Sequence, residues 1–335
     1  MPPLVSVVLP VYNVASYIES TVASVLAQTF ENFELLVLDD CSTDNTVALI
    51  EQITDPRVRL IQNERNLGRA GTDNAALPHV RGEFIAKMDG DDVCHPERLA
   101  RQVAFLQAHP EVDVVGGWMQ NFGASNYLNR YPERPDDARV FTLFGLPVGN
   151  PTVMLRTRLL RHDGMHYNAA LRQTEDYDFF ARYAERLRVA TLPEALINYR
   201  TFPDKQKTVL GERTEVADLV REQLLTRWEI GYSPRELHVH NTIAMLHRPL
   251  GDVTLGEVQQ WLLRLLQHNE TQPWFEPAAL RRGLAQRWFE VCYTHPQPWL
   301  GAIRAYRRNP LAEAWPLSAG QYLRFAVKGL RSSRS

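Results

Sequence analysis

Two runs near the start of the chain, Val5-Ser6-Val7-Val8-Leu9 and Leu35-Leu36-Val37-Leu38, are apolar almost without a break, the pattern of strands buried on both faces. Such strands belong to parallel sheets covered by helices on either side. Their surroundings keep the matching rhythm: Val5 to Leu9, a helical pattern from Ala15 to Ala27, Phe33 to Leu38, a helical pattern from Asn45 to Gln52, then Val58 to Ile61. This βαβαβ order specifies an α/β fold, in which ligands bind at the carboxyl ends of the strands. Three motifs stand at such ends. Pro10-Val11-Tyr12-Asn13 follows the first strand, Asp39-Asp40-Cys41-Ser42 the second, and Asp89-Gly90-Asp91-Asp92 a strand from Glu83 to Met88.

Further strands are expected at Val112 to Val115, Thr152 to Leu155, Val189 to Leu192 and Ala195 to Tyr199, with a helix from Tyr177 through Glu185. Strand signals stop near Phe202. The rest is helical in pattern, punctuated by Pro234, Pro249, Pro273, Pro296, Pro298, Pro310 and Pro316, which end helices or mark loops. The expected division is an α/β domain over 1–205 and a helical region over 206–335, and a chain of 335 residues that is 44% hydrophobic can bury cores for both. The net charge of −2 hides a basic end, because between Arg281 and Arg334 only Glu290 and Glu313 oppose the arginines and lysine. That bias suits phosphates or an anionic membrane, and equally an ordinary Arg-rich helical surface. Cys41, Cys94 and Cys292 offer neither a disulfide framework nor zinc spacing. No apolar run approaches the ~20 residues of a spanning helix, and the N-terminus lacks the parts of a signal peptide. A cytoplasmic protein, or one on the inner face of the membrane, is expected, with no nucleic-acid partner.

Clustered carboxylates such as Asp89, Asp91 and Asp92 repel unless a cation is present, and Mg²⁺ or Mn²⁺ takes one or two carboxylates with phosphates completing its sphere. The competing account is a polar turn capping the helix that begins near Pro96. An EF-hand would need later oxygen ligands and a closing Glu that are missing. Ser42, Thr43 or Asp44 can cap the following helix, which leaves Asp39 and Asp40 to accept hydrogen bonds from a nucleobase or ribose. Val11-Tyr12-Asn13 stands where a dinucleotide fold has its glycines, and no P-loop occurs, so NAD and P-loop readings are weak. In the loop Asn66 to Asn74, Arg69 can grip a phosphate, and a plain turn before a helix explains the segment as well. Thr174-Glu175-Asp176 can supply a general base, although an acid at a helix start is common.

In their order and spacing these motifs resemble the family 2 glycosyltransferases of the GT-A fold, over about residues 4 to 202. The resemblance implies a Rossmann-like mixed sheet that binds a nucleotide sugar, followed by a helical C-terminal region. It assigns Pro10, Tyr12 and Asp40, with Asp39 beside them, to the nucleoside. Asp89 and Asp91 become the D-x-D element, with Asp91 as ligand of an Mg²⁺ or Mn²⁺ that bridges the donor diphosphate and Asp89 toward ribose or sugar. Asp176, in the Glu-Asp pair, becomes the catalytic base, and one base without a second nucleophile implies inversion. Two departures stand out. Relatives carry Arg just before the Asn matching Asn74, whereas here Asp73 stands there and Arg69 must make any diphosphate contact; and the Q-x-x-R-W of processive synthases is matched only by Gln223 to Trp228, one residue too long. The expectation is therefore a non-processive, metal-dependent transferase that moves a sugar from a nucleoside diphosphate to a saccharide or lipid-linked acceptor in bacterial surface-polysaccharide synthesis. Two alternatives are a sugar-phosphate nucleotidyltransferase, whose Gly- and Arg-rich first loop is missing, and a non-catalytic nucleotide-sugar-binding subunit, against which Asp91 and Asp176 argue. In the tail, Ala319, Tyr322, Leu323, Ala326, Val327 and Leu330 share one helical face and Arg324, Lys328 and Arg331 another. That helix either lies on a membrane surface or packs on the protein's own helical region.

Overall fold

The computed structural model describes residues 2–203, 208–245, 250–294 and 299–332, without the side chains of 208–212, 299 and 326–332. The chain forms two compact units, Met1–Ala138 with Leu146–Ala217, and Arg139–Gly145 with Asp218–Ser335.

Among the described residues the first unit has nine strands: β1 Val5–Val11, β2 Phe33–Asp39, β3 Val58–Gln62, β4 Phe84–Lys87, β5 Val93–Cys94, β6 Val114–Gly123, β7 Leu128–Asn129, β8 Met154–Arg156 and β9 Val189–Thr201. They form one mixed sheet in the order β3-β2-β1-β4-β8-β6-β9-β5, with β7 on β6. The four strands β3, β2, β1 and β4 run parallel, and β8 lies antiparallel to both β4 and β6. The helices are α1 Ile18–Leu26, α2 Thr46–Glu51, α3 Gly68–Ala75, α4 Arg98–Ala108, α5 Pro135–Thr142, whose residues from Arg139 on count with the second unit, α6 Arg158–Arg161 and α7 Glu175–Arg182. β1 and β2 are buried along their whole length. Val7, Leu9, Leu35 and Val37 pack with Ile18 and Val22 of α1, while Val8, Leu36 and Leu38 point the other way, toward Ala70 and Phe179. The period of two along each strand thus feeds two cores. Ser6, the one polar residue of the first run, donates to Glu34 Oε1 at 2.7 Å. Its hydroxyl accepts from the amides of Arg81 and Gly82, and at Gly82 a Cβ would lie 2.5 Å from the Ser6 nitrogen, so the chain can enter β4 only through glycine.

Two expectations change. The runs at 189–192 and 195–199 are one strand, β9, whose register against β6 shifts at Gly117 and Trp118. Pro193 lies within it, at the kind of irregularity where a residue without an N–H is tolerated. β6 continues far past Val115, since Gly116 and Gly117, which mask the strand pattern, are places where a Cβ would strike Val148 and Leu196.

The second unit comprises the later part of α8 (Thr208–Arg227), then α9 Pro234–Ala244, α10 Leu255–Thr271, α11 Pro277–Thr294, α12 Trp299–Arg307 and α13 Ala319–Ser332. Pro234 opens a helix rather than ending one: it follows the N-cap Ser233, which forms a capping box with Glu236. Trp228, Trp261 and Trp288 are buried. His240 ties this core to the segment Arg139–Gly145. Its Nδ1 accepts from the Trp261 indole at 3.0 Å, which assigns the ring proton to Nε2, donating to the Leu143 carbonyl at 2.8 Å. Burial, with the Arg221 charge nearby, pushes its pKa down to about 3. A folded value below the ordinary one of about 6.5 means that the stabilisation is complete above that pH and lost as pH falls toward the folded value. Urea unfolding should therefore show the wild type losing roughly 3 kcal/mol more than His240→Gln between about pH 7 and pH 4. Equal losses would clear His240 of this role.

No helix among the described residues is long and apolar enough to cross a membrane. Among the described side chains of α13, Phe325 packs inward, against Phe289 and Tyr293 of α11, a residue outside the stripe read from the sequence. Ala319, Tyr322 and Leu323 of that stripe are exposed, as is Arg324. The side chains of Ala326, Val327, Leu330, Lys328 and Arg331 lie outside the described residues.

Candidate active site

The loops after β1 and β2 are laced together. Asn13, in the left-handed region at φ 52°, accepts from the Thr43 amide at 2.8 Å through its side chain and donates its own amide to Ser42 Oγ at 3.0 Å. Asp44 accepts from the amide of Thr46 at 2.9 Å and from that of Ala15 at 3.1 Å. Ser42, Thr43 and Asp44 thus join two loops, and only Asp44 also serves the start of α2. Pro10 is buried in β1, and Tyr12 beyond it is 51% exposed.

The two acids after β2 divide. Asp40 accepts from Asn63 Nδ2 at 2.9 Å and from the amides of Leu67 and Gly68 at 2.7 and 2.9 Å, so its carboxylate shapes the loop that enters α3. Asp39 accepts from the Ser42 amide at 3.2 Å, which leaves a carboxylate with acceptor capacity to spare.

Arg69, in the first turn of α3, donates to Asp89 Oδ1 at 2.5 Å and to Asp73 at 3.3 Å. Asp73 in turn holds Lys87 Nζ at 2.6 Å, 4.0 Å from the Tyr167 ring centroid. Burial opposes the charges of Arg69 and Lys87, but the carboxylates outweigh it and both cations are held protonated. Lys87 was missed from sequence, although a lysine inside the run Phe84-Ile85-Ala86-Lys87-Met88 was a signal: such a group is buried only when paired.

The turn after β4 is anchored from β9. Arg200 donates its amide to Asp92 Oδ1 at 2.7 Å and its Nε to the Asp91 carbonyl at 2.8 Å. Its guanidinium lies 4.7 Å from the Tyr17 ring centroid and 4.5 Å from that of Phe122. Asp92 is fully buried, and burial, then the Asp89 charge, push its pKa up to about 9. Its Oδ2 has no hydrogen-bond partner. Among the described residues no three acidic, histidine or cysteine side chains could hold a metal by themselves. The donor set fits another arrangement, since hard carboxylate oxygens at Asp91 and an orphaned oxygen beside it suit an ion that draws its remaining ligands from phosphate.

Glu175 and Asp176 open α7 behind Thr174, a β-branched residue held in the left-handed region at φ 64°. Burial and then the Asp176 charge push Glu175 up to about 7. Asp176 is also raised by burial, against the pull of the Tyr177 amide and the charges of Lys87, Arg69 and Arg213. Tyr131 feels the Asp176 charge, and Tyr199 those of Asp89, Asp92 and Asp91. Nothing in the sequence signals either tyrosine. Arg69, Asp89, Asp91 and Asp176 are therefore gathered in one electrostatic neighbourhood, while Pro10 and Asp39 stand at the ends of β1 and β2, and Tyr12 and Asp40 in the loops that follow.

The family described as glycosyl transferase family 2 matches residues 6–178. The chain belongs to glycosyl transferase family 2. Membership makes it a transferase and sets aside both the nucleotidyltransferase and the non-catalytic subunit. An uncharacterized glycosyltransferase of Haemophilus influenzae is 29% identical over 260 residues, 73% of this chain and 80% of the relative. The putative teichuronic acid biosynthesis glycosyltransferase TuaG of Bacillus subtilis is 41% identical over 150 residues, 43% of this chain and 60% of TuaG. Among solved structures, Staphylococcus aureus TarS 1–349 in complex with UDP-GlcNAc is similar with a TM-score of 0.58 at 21% identity, covering 98% of this chain and 92% of that one. The last likeness is one of fold, and the mixed sheet described above is the GT-A sheet.

Proposed function

We propose that this family 2 glycosyltransferase moves one sugar per encounter, with inversion, from a nucleoside diphosphate to a hydroxyl of a saccharide or lipid-linked acceptor in surface-polysaccharide synthesis, assisted by Mg²⁺ or Mn²⁺. The observation that carries this reading is the position of Arg69, paired with Asp89 and within the field of Glu175, so that an anion-binding group joins two acidic clusters far apart in sequence. Asp39, with Tyr12 and Pro10 nearby, faces the nucleoside. Arg69 and Asp89 orient diphosphate and sugar, and Asp91 would hold the ion. Bound there, the ion would neutralise charge that builds on the departing diphosphate. Asp176 takes the proton of the acceptor hydroxyl as it attacks from the opposite face. A nucleotide-sugar complex of TarS and the biosynthetic name of TuaG support the donor and product classes.

Thermal shift against UDP-, GDP- and dTDP-sugars with Mn²⁺ tests the reading, because a ligand that binds only the native state raises the melting temperature by mass action. One donor should stand out, and no shift with any of them would overturn the proposal. With donor and acceptor identified, NMR of the product should show the opposite anomeric configuration to that of the donor. Retention would rule out the single displacement.

A further inference from the structure

We propose that the outward face of α12 and α13 docks on an anionic lipid surface. Six large hydrophobic side chains are exposed in the described structure, and three of them, Leu300, Tyr322 and Leu323, lie on these two helices. Leu300 and Leu323 are 62% and 65% exposed, a costly placement for a leucine that meets only water. On α12, Leu300, Arg304 and Arg307 recur at i, i+4 and i+7 and share one exposed stripe, while Ala302 and Tyr306 face inward. On α13, Phe325 is locked against α11, which fixes Tyr322, Leu323 and Arg324 on the exposed side.

Charge identifies the partner. Elsewhere in this unit Arg235 is matched with Asp252 and Glu257, and Arg264 with Glu236. Among the described residues, Arg304, Arg307, Arg308 and Arg324 make no ion pair. Unmatched guanidiniums around exposed leucines and a tyrosine suit lipid phosphates above and acyl chains between them. A purely polyanionic partner such as nucleic acid would use the arginines and leave the leucines without a role. This inference is independent of the proposed chemistry, and its test measures no transfer.

The test is co-sedimentation of the full chain with vesicles of phosphatidylcholine alone or mixed with phosphatidylglycerol. The wild type should pellet with the mixed vesicles and be released by high salt. Leu300→Glu/Leu323→Glu and Arg304→Glu/Arg307→Glu should each lower vesicle affinity by roughly 10-fold or more, with the thermal transition of each variant checked against the wild type. Wild type left in the supernatant overturns the proposal. So does a folded leucine double variant that binds as well as wild type, which would reduce the face to a general polyanion surface.

Discussion

Asp91→Asn should lower transfer by about 10²-fold or more, the scale on which charge stabilisation of a leaving group is lost. The substitution keeps the shape of the side chain and removes its charge. The Arg200 anchors of the turn, on the Asp91 backbone carbonyl and the Asp92 carboxylate, are not removed by it. Rates measured across a Mn²⁺ titration should show the variant needing far more metal, and the thermal shift by donor plus Mn²⁺ should shrink toward that of donor alone. Full wild-type activity in excess EDTA, or an unaltered metal requirement in Asp91→Asn, would remove the ion from the mechanism.

Asp176→Asn should cost transfer about 10²- to 10⁴-fold, the range for loss of a general base, while the donor's thermal shift stays near that of wild type. The two acids at the start of α7 also give the reaction a pH signature. Burial raises both, and Glu175 reaches about 7. A carboxyl group takes a proton only when ionised, so wild-type transfer should rise with pH along a limb displaced above the ordinary aspartate range, and the Asn variant should lose that limb. Loss of donor binding in Asp176→Asn would place the residue in the donor site instead.

The parallel half of the sheet and its three loops were legible because unbroken apolar strands leave few alternatives, and because each motif sits where such a strand ends. What escaped notice came from distant segments. Arg200 reaches the turn at Asp91 from 109 residues away, and Tyr131 and Tyr199 stand in stretches with no local pattern. Lys87 was visible but unused. The difference between Asp39 and Asp40 could not be read, since adjacent identical residues differ only in what the fold brings to them: three loop donors for one, a single amide for the other.

The segment Arg139–Gly145 is surrounded in sequence by the first unit yet counts with the second. Its Leu143 carbonyl receives the His240 proton, and Phe144 stacks on the His240 ring at 5.2 Å and lies 4.7 Å from Arg287. A gene cut after the sheet domain would therefore strand Leu143 and Phe144 on one fragment and leave a buried imidazole without its acceptor on the other. The helical unit is not a cassette that a single crossover can exchange between relatives. Any swap that keeps it folded must carry two joints more, one on each side of a seven-residue stretch whose own neighbours stay behind.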